Sequence, residues 1–267
     1  MKPMKTKNLL NGKISQAKKG KQKLFCVFLT LGYPNLVATE RLILFCEKAG
    51  VDILELGFPF SDPLADGPTI QFSSEQALKK HVTIKDAFQV VRHVRQKGCR
   101  MPIVFFGYFN PIYAYGKKDF ASDAKTAGFD GIIVPDLTPE EEKDFQADCR
   151  KKDLSQIFLV APTTSDARAS KIIHKSQGFV YYVSLRGVTG ARKTVPSDLK
   201  GQLNQLRKMS RKPFLVGFGV SMPEQARDIS KMSDGVIVGS AVIEHLKLGI
   251  RSAERFIEKM SQAVHRP

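Results

Sequence analysis

Val51-Asp52-Ile53-Leu54-Glu55-Leu56-Gly57 is a short β-rich apolar run with one carboxylate inside it, and it passes directly into Phe58-Pro59-Phe60-Ser61-Asp62-Pro63-Leu64-Ala65-Asp66-Gly67-Pro68. The second part is too rich in Pro, Gly and Asp to be helical throughout, so the sequence predicts a strand followed by a loop over 60–68. Seven further runs of the same kind occur. Together the eight candidate strands cover 24–30, 52–56, 103–106, 131–134, 156–161, 179–184, 214–217 and 235–238, each followed by a segment that reads at least partly helical. The clearest helical patterns lie at 36–49 before Gly50, 84–96, 139–152 with Pro near its start, 165–175 and 222–232. Alternating strands and helices imply a parallel sheet with right-handed crossovers, and eight repeats close a (β/α)8 TIM barrel. An open doubly wound sheet shares the alternation and is set apart by the count of eight. Gly217-Phe218-Gly219-Val220-Ser221-Met222 begins like a dinucleotide-binding turn but lacks its third glycine.

A chain of 267 residues suits one barrel, so residues 1–267 are expected to form a single α/β domain with an extra N-terminal helix. The hydrophobic fraction of 42% and 18 Phe supply one large core, while no window reaches the roughly 20 apolar residues of a membrane span. No secretory signal follows the basic leader, and Cys26, Cys46, Cys99 and Cys149 form no C-x-x-C pair. A cytoplasmic protein with buried, reduced thiols is expected. The formal charge of +16 raises nucleic-acid binding as a possibility. Half of that excess precedes residue 40, where eight Lys meet no acid, and the remainder is scattered among carboxylates such as Glu140, Glu141 and Glu142. Without an aromatic-interleaved basic stripe, neither nucleic acid nor membrane is expected as a partner.

In such a barrel the working residues stand at the C-terminal strand ends and on the loops beyond them. Glu55 shares a strand face with Ile53 and Gly57, and burying an ionised carboxylate there costs several kcal/mol unless it gains a partner, a raised pKa or a chemical task. A salt bridge to a distant Lys or Arg is the structural alternative. Asp66, eleven residues on, is expected to be an exposed, ionised carboxylate whose loop turns back over the barrel mouth; capping of its turn is the plainer role. A buried acid with a raised pKa beside an ionised one is what acid–base chemistry requires. Glycine-rich stretches follow the last three strands: Gly187-Val188-Thr189-Gly190, Gly217-Phe218-Gly219 and Gly239-Ser240. Barrels commonly bind phosphate at these ends, and the short helix expected at 241–246 after Ser240 adds an N-terminal anion site. His81, His93, His174, His245 and His265 form no metal-like cluster, and neither a nucleophile elbow nor an obvious Schiff-base lysine is present. No metal or covalent nucleophile is expected.

The fourteen residues from Leu54 to Gly67, with Phe109-Asn110-Pro111-Ile112-Tyr113, Val134-Pro135-Asp136-Leu137, Tyr181 to Gly190, Val216-Gly217-Phe218-Gly219 and Val238-Gly239-Ser240, resemble the tryptophan synthase alpha subunit family over nearly the whole chain. The resemblance implies cofactor-free retro-aldol cleavage of indole-3-glycerol phosphate to indole and glyceraldehyde 3-phosphate. Glu55 then corresponds to the family's catalytic glutamate, and Asp66 to the residue that accepts the indole N–H. Tyr181, Phe28, Ile70, Phe106 and Phe218 would contact the ring or the propyl chain, while Thr189, Gly190, Gly219, Gly239 and Ser240 would hold the phosphate. It further implies an alpha2-beta2 complex with a beta subunit that carries pyridoxal phosphate and receives indole, faced here by Asp62, Pro63 and Asn110. A catalytically weak subunit that chiefly activates the beta subunit is the alternative within the family, and another phosphate-binding barrel enzyme is the alternative outside it. Leu185 after Ser184, where many members place Arg, and Tyr33, where Asp is common, depart from the family pattern.

Overall fold

A computed structural model describes residues 8–183, 198–209, 211–217 and 219–265. Its strands are β1 (Leu24–Thr30), β2 (Ile53–Gly57), β3 (Ile103–Phe106), β4 (Gly131–Ile133), β5 (Ser155–Ile157), β6 (Leu159–Val160), β7 (Val180–Val183), β8 (Phe214–Gly217) and β9 (Gly235–Val238). All pair in parallel, in the order β5-β4-β3-β2-β1-β9-β8-β7-β6. The two outer members of that order are consecutive in the chain, separated only by Phe158. They are two halves of one strand, one paired with β4 and the other with β7, so the sheet closes into the expected eight-stranded barrel.

The helices are α1 (Leu9–Gly20), α2 (Leu36–Lys48), α3 (Pro68–Leu78), α4 (Ile84–Gln96), α5 (Phe109–Tyr115), α6 (Lys117–Ala127), α7 (Lys143–Lys151), α8 (Asp166–Lys175), α9 (Leu199–Met209), α10 (Pro223–Met232), α11 (Ser240–Lys247) and α12 (Ile250–His265). Local chemistry sets their ends. Thr83 and Asp86 form a reciprocal capping box at the start of α4, and Asn35 accepts the Ala38 N–H at 2.8 Å at the start of α2. Pro68 is the first residue of α3, where its missing N–H costs nothing, so the loop after β2 ends at Gly67. The helix expected at 139–152 starts later, at Lys143. Thr138 to Glu141 form a turn instead: the Glu141 carboxylate accepts the Thr138 N–H at 2.9 Å, and Gln146 Nε2 donates to the Pro139 carbonyl at 3.0 Å. None of the helices among the described residues is long and apolar enough to cross a membrane. All four cysteines are free and buried.

The N-terminal end of the barrel is closed by α1. Asn8 caps this helix through the Asn11 N–H, while its amide nitrogen donates to the carbonyls of Asp130 and Asp153 at 2.8 Å each. Asp130, just before β4, accepts the Leu9 N–H at 2.8 Å, the Ile103 N–H at 3.0 Å and Arg95 Nη2 at 2.8 Å. Leu10 is fully buried beneath this network.

Candidate active site

Strand alternation sends Glu55 to the same side of β2 as Gly57, and β2 lies between β1 and β3 with Glu55 opposite Phe28 and Val104. Glu55 is completely buried, and neither carboxylate oxygen has a hydrogen-bond partner. Among the described residues no Lys or Arg forms the salt bridge that would have made it structural. Burial pushes its pKa up to about 8, with the nearby Cys26 thiol acting weakly in the opposite direction. A carboxyl group in this setting is held as the neutral acid near neutral pH and ready to give up its proton.

Aromatic rings surround it. Phe28 and Phe106 pack edge to face with centroids 5.5 Å apart. Gly57 makes room for the Phe28 ring and Gly217 for the Tyr181 phenol, since a Cβ at either position would collide with that ring. Tyr181, on β7, is buried; burial raises its hydroxyl pKa well above the usual value, and the charges of Glu55, Cys26 and Asp66 raise it further. Ile70, buried on α3, adds an aliphatic surface.

Asp66 stands on the loop between β2 and α3, but it is half-buried where the sequence suggested full exposure. Burial raises its pKa to about 6, with the nearby Tyr108 hydroxyl acting in the opposite direction. That tyrosine, two residues beyond β3, accepts the neighbouring Ala65 N–H at 2.9 Å and was missed in the sequence. Its signal was a Gly-Tyr pair directly after a strand, at the barrel end where functional residues gather.

Gly219 and Gly239 follow the adjacent strands β8 and β9, and Ser240 opens α11. Gly219 has φ +78°, a conformation in which glycine avoids a Cβ penalty. Among the described residues no side chain caps α11, and no acid occupies its first turn, so the helix keeps a positive N-terminal end. Thr189, Gly190 and Phe218 lie outside the described residues. Asp62 and Asn110 are exposed and Pro63 half-exposed, beside the strongly exposed Leu64 and Tyr113, on segments that follow the paired strands β2 and β3. Among the described residues no group of three or more His, Cys, Asp or Glu could hold a metal ion.

The family model described as "Tryptophan synthase alpha chain" matches residues 14–266. The chain belongs to that family. The tryptophan synthase alpha chain of Pelobacter propionicus is 43% identical over 262 residues, spanning 96% of this chain and 98% of its own. That of Dehalococcoides mccartyi is 45% identical over 91% of this chain and 96% of its own. Among solved structures, tryptophan synthase subunit alpha from Legionella pneumophila superposes with a TM-score of 0.91 at 34% identity, covering 98% of this chain and all of that one. A chain from the aminoacrylate-bound tryptophan synthase of M. tuberculosis gives 0.87 at 31% identity, over 97% of this chain and all of that one. Membership makes the protein a carbon–carbon lyase of tryptophan biosynthesis, acting on indole-3-glycerol phosphate.

Proposed function

We propose that residues 1–267 form a single barrel domain in which Glu55 and Asp66 carry out the cleavage, and the observation that carries this reading is the fully buried, unpartnered carboxyl of Glu55. Indole leaves as a carbon group only after ring carbon C3 has gained a proton. Protonated Glu55 supplies it, and Asp66 accepts a hydrogen bond from the ring N–H, stabilising the positive charge that develops on the indole. Glu55, now ionised, takes the proton of the side-chain hydroxyl next to the ring. The bond from C3 to that carbon breaks, its electrons return to the ring, and the hydroxyl-bearing carbon becomes the aldehyde of glyceraldehyde 3-phosphate. One proton is given and one regained, so the residue is restored without a cofactor.

Phe28, Ile70, Phe106, Tyr181 and Phe218 enclose the ring and propyl chain. Thr189, Gly190, Gly219, Gly239 and Ser240 hold the phosphate, with the positive end of α11 as a fixed dipole. Asp62, Pro63 and Asn110, with exposed Leu64 and Tyr113 beside them, form the face toward a pyridoxal-phosphate beta subunit in a cytoplasmic alpha2-beta2 complex. This pairing is supported by family membership and by the apolar exposure at that rim. The test is indole formation from indole-3-glycerol phosphate, by wild type and Glu55→Gln, with and without a matching beta subunit. Wild type is expected to release indole, faster in the complex, and Glu55→Gln to lose at least about 10²-fold. Wild-type chain that yields no indole yet still activates the beta subunit would establish the regulatory alternative.

A further inference from the structure

Thr69, the second residue of α3, donates its hydroxyl to Glu244 Oε1 of α11 at 2.6 Å, across 175 positions of sequence. Lys247, further along α11, donates to the same oxygen at 2.8 Å. Its ammonium also lies over the Phe72 ring of α3, 4.6 Å from the centroid, and Tyr33 meets that ring edge to face at 6.0 Å. Thr69 and Phe72 share one face of α3, Glu244 and Lys247 share one face of α11, and the four side chains close a ring of contacts between the helices. Lys247 and the Thr69 hydroxyl hold the Glu244 carboxyl below its usual pKa, so it is ionised at neutral pH. A second tie fixes the same face of α3 one turn on, where the hydroxyls of Ser73 and Thr30 of β1 lie 2.6 Å apart. Glu244 and Lys247 are exposed, and an ion pair in such a place adds little to stability. What the contacts join is more informative. Helix α3 begins two residues after Asp66 and carries the buried Ile70, whereas α11 begins at Ser240, directly after Gly239.

We propose that Thr69 and Glu244 are positioning residues for the lyase reaction: their hydrogen bond fastens the first turn of α3, at the ring end of the substrate, to the helix that receives the phosphate, and so fixes the separation of the two ends. The inference rests on the reading that α11 takes the phosphate and that Ile70 lines the ring pocket. A short hydrogen bond from a hydroxyl to a carboxylate suits the task, being directional and charge-assisted. Lys247 suits it too, since an unpaired carboxylate one turn from Ser240 would repel a phosphate there. With the two helices joined, energy gained by binding phosphate at α11 is used to place the ring at the other end. It then raises kcat and does not merely tighten binding.

Thr69→Val keeps the shape of the side chain and removes its hydroxyl, while Thr69→Ser keeps the hydroxyl. In the full chain with indole-3-glycerol phosphate, Thr69→Val is expected to lower kcat by about 10-fold with KM changed by less than about 2-fold, and Thr69→Ser to stay within about 2-fold of wild type. With phosphate-free indole-3-glycerol, whose cleavage gains nothing from α11, Thr69→Val should match wild type within about 2-fold. An equal loss on both substrates, or an unchanged kcat on the phosphorylated one, would overturn the inference. Inorganic phosphate reads the link without turnover. Its titration into wild type should shift the backbone amide NMR signals of Ala241 and Val242 in α11 together with those of Gln71 and Phe72 in α3, and in Thr69→Val only the α11 signals should move. Signals of α3 that still follow phosphate in Thr69→Val refute the link. Signals of α11 that ignore phosphate in wild type would instead defeat the phosphate assignment, and the inference with it, which separates the two failures.

Discussion

Two buried carboxylates, one near each end of this barrel, have been treated in opposite ways by the surrounding fold. Asp130, at the N-terminal end, is 3% exposed and accepts hydrogen bonds from Arg95, Ile103 and Leu9. Its pKa is still raised on balance, because burial outweighs Arg95 and the two backbone N–H groups, which lower it. Glu55, toward the C-terminal mouth, is equally buried and receives nothing of the kind. One carboxylate ties the plug helix and two strands together; the other is left with an unmet need that a substrate proton can answer. Burial costs stability at both positions; at Asp130 three donors offset part of that cost, and at Glu55 none of that kind does.

Breaking the contrast at Glu55 should have the largest effect. Glu55→Gln is expected to cut indole formation by about 10²- to 10⁴-fold, measured by steady-state assay. The same variant should be more stable than wild type at alkaline pH. A carboxyl whose folded pKa lies near 8, against an unfolded value near 4.5, binds its proton more tightly when folded. Wild-type stability should therefore fall as pH rises from about 4.5 to about 8 and stay lowered above that, by at most about 5 kcal/mol from this group. Glu55→Gln should lack that component of the slope in urea titrations taken across the range. A slope identical in both proteins would show that the carboxyl is not held protonated.

Removing the satisfied carboxylate should do the reverse. Asp130→Ala leaves Arg95 buried without its carboxylate and strips acceptors from Leu9 and Ile103, at an expected cost of about 3–5 kcal/mol in urea unfolding. Whatever folds should retain cleavage. Asn8→Ala is the smallest change: it loses a helix cap and the ties to Asp130 and Asp153, worth about 1–2 kcal/mol. A larger loss for Asn8→Ala than for Asp130→Ala would show that the helix cap, and not the carboxylate, closes this end.

The same comparison explains what was legible in the sequence. Glu55 stood out because a lone carboxylate in an apolar strand violates burial chemistry within five residues, and the strands 24–30, 103–106, 214–217 and 235–238 were readable to the residue for the same local reason. Asp130 was not singled out, because its partners Leu9, Arg95 and Ile103 come from three distant segments. Tyr108 escaped for the same reason, since its hydroxyl meets the Ala65 N–H across 43 positions of sequence. Helix α3 carries little periodic contrast and α5 spans only seven residues, so neither was marked; α12, whose buried Ala253, Phe256, Ile257, Met260 and Val264 recur at helical spacing, was legible but not singled out. The late start of α7 depends on side chains of Glu141 and Gln146 competing for the backbone of the Thr138-Pro139 turn, which a propensity pattern does not register.

The most direct measurement of the central claim is the titration of the Glu55 carboxyl itself, followed by carbon NMR on labelled protein with Glu55→Gln to assign the signal. The account requires a midpoint near 8 in the absence of substrate. A midpoint below about 5, the range of an ordinary exposed glutamate, would contradict it.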